Sequence, residues 1–411
     1  MLTLKTTPFH ERTSALMEAN QWRRWSGYSV ASAYEMTHDR EYLAMREACA
    51  LLDVSPLCKY HVSGPDAGAF LNRLVTRDLS RLAVGQGAYT PWCDSRGKVV
   101  DDGTVARLGE SFYRLTAAET NYLWLTDNAT GFDVTVEDVS ERIGTLALQG
   151  PCSRDVLARA AGEAVRELKF YRWMEAAIDG RTVGISRTGY SGDLGYEIWV
   201  DAKDAGKAGG CEGGQSPPCA AVWDAVLREG RAYAIQPAGI WALDVARIEA
   251  GLIMLDVDYT PAPKAILDSQ ASSPFELGLG WAVHFQKGNF VGRKALLQEQ
   301  ERGSPLALVG LEIDHEALSQ AYESLGMPPI LPFIPWREIT PIFSEHEQVG
   351  YATCGGWSPT LKRYLALAQV APRCAGEGTR LRVELLVDRW RKSFEARVGK
   401  LPFFNPERKR S

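Results

Sequence analysis

Gly85-Gln-Gly-Ala-Tyr-Thr-Pro-Trp-Cys-Asp-Ser-Arg-Gly-Lys-Val-Val-Asp-Asp-Gly-Thr-Val-Ala-Arg-Leu108 reads as two strand-like arms around Asp94-Ser95-Arg96-Gly97, a run of turn-forming residues. Paired about that turn, the arms set Tyr89 opposite Asp102. On one sheet face such Cβ atoms lie roughly 5 Å apart. Asp101 then points to the other face, because strand side chains alternate, so Asp101 and Asp102 do not form an acid/base dyad and at most one of them lines a pocket. Spacing alone equally fits two carboxylates that are solvated or that cap a neighbouring element.

A second stretch of this kind is Thr188-Gly-Tyr-Ser-Gly-Asp-Leu-Gly-Tyr-Glu-Ile198, where a turn at 192–195 is expected to fold Tyr190 back opposite Glu197. A tyrosine face beside a carboxylate suits a flat, amino-bearing heterocycle: stacking on one side, and at the edge a charge-assisted hydrogen bond worth roughly 1.5 to 3 kcal/mol. A glycine-rich hairpin with a surface glutamate has the same spacing.

Outward from these two stretches, Met45, Ala48, Cys49 and Leu52 recur at helical spacing, predicting one amphipathic helix capped by Asp39. A strand at 59–62 follows, then Gly64-Pro65 and a helix whose apolar face is Ala67, Phe70, Leu71 and Leu74. The same order returns as Thr145-Leu-Ala-Leu-Gln149, Gly150-Pro151 and a helix showing Val156, Leu157 and Ala160, which suggests two related α+β halves. The Gly-, Ser- and Pro-rich run from Ala202 to Cys219 reads as a loop, and Trp223, Val226 and Leu227 restart helical spacing. Beyond residue 303, Leu308-Val-Gly-Leu-Glu-Ile313 and Leu381-Arg-Val-Glu-Leu-Leu-Val387 suit a small antiparallel β domain, although Met327 to Trp336 is too proline-broken for a regular element. The expected division is 8–302 and 303–404. Arg408-Lys409-Arg410 reads as a solvated end.

With 45% apolar and 24% charged residues among 411, the chain has material for a real core. A formal charge of −5 argues against a nucleic-acid partner, since phosphate neutralisation needs a clustered basic surface. The eight cysteines include no C-x-x-C pair, so they read as reduced structural thiols and no metal site is expected. Neither a signal-peptide core nor a membrane-spanning run is visible, and a cytoplasmic location is expected. Phosphate-loop, dinucleotide, zincin and nucleophile-elbow signatures are missing; Ser191, for one, sits in Gly-Tyr-Ser-Gly.

Val99-Val-Asp-Asp102, Arg187 through Glu197, Arg247-Ile-Glu-Ala-Gly251, Phe290-Val-Gly-Arg-Lys-Ala-Leu296 and Ser358-Pro-Thr-Leu361 resemble, in order, the landmarks of the glycine cleavage T-protein (aminomethyltransferase) family. Leu52-Asp-Val-Ser55 and Gln149-Gly-Pro151 fit too, so the likeness runs from about Pro8 to Pro402. It implies an α+β fold: a cloverleaf of three modules around a central tetrahydrofolate channel, with a C-terminal antiparallel β-barrel-like domain. On the family pattern Asp102 matches the catalytic aspartate, Tyr89 and Tyr190 match folate-contacting tyrosines, and Glu197 matches the carboxylate that grips the pterin edge.

The chain also departs from that pattern. Leu243 stands where the family carries an arginine before Asp244, Asp53-Val-Ser-Pro-Leu57 replaces Asp-Val-Ser-His-Met, and an insertion occupies about 314–338. These departures favour a small O-, N- or S-methylated donor, whose methyl group passes to tetrahydrofolate, over the alternative donor, an aminomethyl group on a lipoylated carrier protein. Trp22, Trp25, Trp92 and Trp357 are candidate pocket walls for such a donor, and His10 is a candidate proton source. A non-catalytic folate-binding protein is the reading from another class. The Lys-Gly-Cys-Tyr signature of the helpers that share this fold is absent.

Overall fold

The computed structural model describes residues 4–202, 217–327 and 334–411. Cys211, most of the Gly/Pro-rich run and the centre of the proline-broken segment lie outside them. The stretch quoted first builds one edge of a five-stranded sheet, in the order Gln86–Cys93, Val99–Gly109, Phe112–Ala117, Cys58–Ser63, Thr135–Asp138. Helix Ala67–Leu74 lays Phe70, Leu71 and Leu74 on this sheet beside Tyr60, Val62 and Leu115. A six-stranded sheet follows, in the order Trp173–Ile178, Arg181–Ser186, Gly195–Asp201, Ile143–Gln149, Cys49–Asp53, Ile235–Pro237. Helices Ser153–Ala161 and Pro218–Gly230 cover its apolar face, as the spacing of Val156, Leu157, Trp223 and Val226 requires.

The third module is a closed barrel of six strands, from Ala307–Ile313 to Trp390–Gly399. In Arg380–Val387 the alternation is strict: Leu381, Val383, Leu385 and Val387 point inward and are buried. The insertion expected near 314–338 supplies helix His315–Glu323, capped by the Asp314 carboxylate on Ala317 N, 3.0 Å. Trp336 then pairs backbone to backbone with Gly355.

Three expectations fail locally. The first helix spans Asp39–Glu47, with Asp39 inside its first turn and no side-chain cap. Cys49 and Leu52 belong to a buried strand, Cys49–Asp53, because a short wholly apolar run suits a central strand as well as a helix. In the long hairpin Tyr89 faces Thr104, not Asp102, which pairs with Pro91. One step of that shift comes from a wider loop, 94–98, and one from a bulge that leaves Val100 unpaired between Asp101 and Val99. The 408–410 tail is docked rather than solvated: the Arg408 guanidinium takes both oxygens of buried Asp193, at 2.7 and 2.8 Å.

The sheets of the first two modules meet edge to edge. Gly87 N donates to Tyr171 O at 2.8 Å, and Trp173 N donates to Gly85 O at 2.9 Å. The barrel is joined to them through helix Ile240–Glu249 by two buried polar clusters. In one, Glu249 accepts from Arg46 (2.9 and 2.6 Å), from the Tyr42 hydroxyl (2.5 Å) and from the Ser358 hydroxyl (2.5 Å). In the other, Asp258 accepts from Arg247 (2.5 Å), from the Thr353 hydroxyl and from the Cys354 thiol (3.2 Å). The Arg247-to-Gly251 and Ser358-to-Leu361 landmarks are therefore structural joints, in which every buried charge has a partner of opposite sign.

The landmark Phe290 to Leu296 docks on the hairpin loop, where a Cβ on Gly97 would stand 3.1 Å from Leu296 Cγ, and one on Gly292 would stand 2.7 Å from Asp94 O. Close approach matters most at Gly103, beside Asp102, where a Cβ would lie 1.9 Å from the Thr116 carbonyl oxygen. Gly103→Ala is expected to destabilise the protein by about 1 to 3 kcal/mol, by forcing the two strands apart, measurable as a lower urea midpoint.

Candidate functional site

Asp101 and Asp102 follow the alternation. Asp101 is fully buried and takes Asp102 N (2.7 Å), Asn121 Nδ2 (2.6 Å) and Glu119 N (3.3 Å), so it shapes the strand end from behind. Asn121 Oδ1 in turn accepts from Trp92 Nε1 at 3.1 Å, which makes Trp92 a core residue rather than a pocket wall. Asp102 lies on the opposite face, half-buried, toward Tyr89 and toward Tyr259 of the connection that follows helix Ile240–Glu249. Its Oδ2 accepts from the Tyr89 hydroxyl at 2.8 Å and its Oδ1 accepts from the Tyr259 hydroxyl. Tyr89 reaches it despite the shifted register, because a residue diagonal by two positions on one face is about 7–8 Å away, within range of a long aromatic side chain.

Burial raises the Asp102 carboxyl above the ordinary carboxylate range, and the two tyrosine hydroxyls work against that shift. Asp101 is pushed well above it by burial and by the adjacent charge of Asp102. Burial likewise lifts the phenols of Tyr89 and Tyr259, with the Asp102 charge adding to it, so both remain neutral donors. An oriented, desolvated carboxylate of this kind stabilises a developing cation or takes up a proton.

The second stretch does not make the tight hairpin expected of it. Glu197 pairs with Ser186, and 187–194 is a wide loop that carries Tyr190 away from Glu197. The Tyr190 hydroxyl donates to Ile253 O, and its ring packs against the core cluster that contains Leu52, Leu243 and Ala246. Glu197 Oε2 accepts from Thr188 Oγ1 (2.7 Å) and Ser186 Oγ (3.2 Å); among the described residues Oε1 accepts no hydrogen bond. Burial raises the Glu197 carboxyl, and those two hydroxyls and the Arg114 charge oppose the rise. Arg114 lies buried with its guanidinium 3.7 Å from the centre of the Trp199 ring.

Tyr171 links the two carboxylates. Its phenol is pushed up to about 12, first by burial and then by the charge of Glu197, while it also lies within electrostatic reach of Tyr89. Tyr89, Asp102 and Tyr190 share one region, to which Glu197 is related through its electrostatic reach to Tyr171. Tyr171, Tyr259 and Arg114 belong to it as well, and no spacing rule singles them out: Tyr171 sits at φ 59° in a connection, and Tyr259 follows an irregular segment.

Gln149 holds the Tyr190 loop. Its Oε1 accepts from Ser191 Oγ at 2.6 Å, and a Cβ on Gly189 or Gly195 would come within 2.1 and 2.3 Å of that amide, so glycine at both positions is what admits it. The tail closes the loop from outside through Arg408 and Asp193. Arg408→Ala is expected to weaken this clasp by about 1–2 kcal/mol, the lower part of the range for charged pairs because Arg408 is part exposed. Faster amide hydrogen exchange confined to 188–194 would report it.

Other histidines and tryptophans have structural settings. His61 sits in a strand against Phe112, and burial drops it to about 4, which leaves it uncharged near neutrality. His10 lies against Trp22 with ring centroids 5.1 Å apart and planes tilted by 46°, and Trp357 packs on the barrel core. Leu243 is buried in the core cluster against which Tyr190 packs, and its neighbour Asp244 receives the guanidinium of Arg337, from the insertion, at 2.5 and 3.1 Å. Arg23 approaches the same oxygen at 3.7 Å. Guanidinium groups thus gather near position 243 although leucine occupies it.

Residues 7–287 match the GCVT N-terminal domain model, and residues 330–405 match the glycine cleavage T-protein C-terminal barrel domain model. The chain is 32% identical over 410 residues to an aminomethyltransferase of Bacillus cereus, covering 98% of this chain and 99% of that one. It is 33% identical over 348 residues to an aminomethyltransferase of Caldanaerobacter subterraneus, covering 84% and 82% of the two. Its fold is similar to the crystal structure of glycine cleavage system aminomethyltransferase T from Bartonella henselae, with a TM-score of 0.80 and 27% identity across 98% of this chain and 99% of that one.

Proposed function

Since this chain belongs to the glycine cleavage T-protein family, we propose that it is a tetrahydrofolate-dependent aminomethyltransferase acting on an aminomethyl group borne by a lipoylated carrier protein. The observation that carries the reading is Asp102, a half-buried carboxylate held by the hydroxyls of Tyr89 and Tyr259, which come from two different parts of the chain. The relatives named aminomethyltransferase, similar over nearly their whole length, support a carrier-borne donor better than the small methylated donor that Leu243 led us to expect. Arg337 and Arg23 beside Asp244 remove part of the reason for that expectation.

The residues suit a reduced folate. Glu197 has one oxygen tied down by two hydroxyls and one open to a donor, as an amino-bearing ring edge requires. Tyr89, Tyr171 and Tyr190 offer aromatic faces around the same region. When bound, tetrahydrofolate supplies the amine nitrogens that accept the carbon. Asp102 balances the positive charge that arises there and takes up the proton released, for a contribution of typically about 10²- to 10⁴-fold. Tyr89 and Tyr259 keep its carboxylate aimed, so no reorganisation is needed at the moment of transfer. In the overall change the carbon leaves nitrogen and sulfur for the folate nitrogens, releasing ammonia and the reduced lipoyl thiol.

The test supplies the protein with tetrahydrofolate and either an aminomethyl-lipoyl carrier or small O-, N- and S-methyl compounds. Methylene-folate and ammonia from the carrier alone are expected; methyl-folate from a small donor alone would overturn the proposal.

A further inference from the structure

Arg114 is a buried charge without a counterion. It is 4% exposed, its Nε is buried with no partner, and among the described residues no carboxylate lies within ion-pair distance of it. Arg46 and Arg247, in the joints to the barrel, each hold a carboxylate, at 2.6 and 2.5 Å. What Arg114 touches is the face of Trp199, 3.7 Å from guanidinium to ring centre. A cation–π contact returns only part of what leaving water takes from a guanidinium, so the residue is kept at some cost to the fold.

Strand alternation explains where it sits. Phe112–Ala117 turns Tyr113, Leu115 and Ala117 to the core of the first module, and Gly195–Asp201 turns Tyr196, Ile198 and Val200 to the core of the second. Arg114 on one strand, and Glu197 with Trp199 on the other, are left on the opposite faces, and Arg114 meets Trp199 across the junction. Trp199 Nε1 donates to Ser186 Oγ at 3.0 Å and Ser186 Oγ donates to Glu197 Oε2 at 3.2 Å, so the indole that carries the guanidinium also braces the carboxylate. A guanidinium bonded directly to Glu197 would occupy Oε1. Seated on the indole, it leaves that oxygen to a ligand.

Resting on the folate reading above, we propose that Arg114 is a positioning residue for Glu197: from its seat on Trp199 it keeps the carboxylate ionised, ready for the amino-bearing ring edge, without competing for it. Burial raises the Glu197 carboxyl and the Arg114 charge opposes the rise, while the guanidinium, brought down to about 10 by burial, stays charged near neutrality. The neighbouring titratable groups do not supply that charge. Tyr171 is neutral; His61, paired opposite Arg114, is dropped to about 4 and is uncharged; the Lys59 ammonium, brought to about 7, is turned to the carbonyls of Ser55, Ser140 and Ile143.

Titration calorimetry with tetrahydrofolate as a function of pH reads this out. Glu197 accepts when ionised, so affinity falls as pH drops through its raised value. Arg114→Met is expected to move that fall upward by about one pH unit, the scale of one neighbouring opposite charge, while affinity at alkaline pH stays within a few fold and kcat at saturating folate is kept. Arg114→Lys returns the fall toward its original place, and Glu197→Gln abolishes it. Because Arg114→Met removes a buried charge with no counterion, its urea midpoint is expected to hold or rise. A fall that stays in place in Arg114→Met, or an equal loss of affinity at every pH, overturns the positioning role; a lowered midpoint beside an unmoved fall marks the arginine as structural. A fall that survives in Glu197→Gln overturns the role too. If the unaltered protein binds no tetrahydrofolate at any pH, the folate reading goes with it.

Discussion

Asp102→Asn lowers turnover by about 10²- to 10⁴-fold while the affinity for tetrahydrofolate stays within a few fold, because the amide keeps the shape of the carboxylate and loses its charge. Steady-state kinetics beside equilibrium binding check it; an unchanged kcat would remove Asp102 from the chemistry. The pH profile carries the sign. Burial raises the folded carboxyl above its ordinary value of about 4, so the active ionised form is lost as pH falls through that raised value. The acid limb of kcat is expected above the ordinary carboxylate range in the unaltered protein. It should be absent in the asparagine variant.

The largest loss of stability is expected from Glu249→Ala. The Arg46 and Glu249 side chains are each 1% exposed, and the glutamate is the acceptor shared by the guanidinium, Tyr42 and Ser358. Removing it leaves a guanidinium in the interior with the Ser191 and Ala246 carbonyls, the Phe404 and Tyr42 rings and, as its nearest remaining carboxylate, Asp193 at 3.8 Å. Stripping one partner from a buried pair costs about 3–5 kcal/mol, whereas replacing both with apolar groups of like volume is often neutral. The urea midpoint should therefore fall steeply in Glu249→Ala and recover in Arg46→Met/Glu249→Leu. A double variant as unstable as the single one would show that the joint depends on packing rather than charge.

The sequence was legible where one local rule decides. The turn at Asp94 to Gly97, the helical face of Phe70, Leu71 and Leu74, and the alternation along Arg380–Val387 follow from backbone preference and burial alone. It was not legible where distant parts compete. The wider hairpin loop packs at Gly97 against Phe290 to Leu296, a segment that no window of the hairpin contains. Arg408 looked solvated because its partner, Asp193, lies 215 positions away. Tyr171 and Tyr259 sit in connections, whose aromatic residues carry no period to read. Tyr89 reaches Asp102 although the hairpin register that first suggested the pair is displaced, and the tight hairpin expected to bring Tyr190 to Glu197 is absent.

The seam between the first two sheets also bears on how the protein fails. Strand Gln86–Cys93 ends its sheet and would offer a row of open amides and carbonyls to any other chain, were Tyr171 and Trp173 not bonded to Gly87 and Gly85. Partial melting of the second module would uncover that template before the first has lost its shape. Aggregates seeded by 86–93 are the expected product of mild heating, and a lysine placed on that border should suppress them.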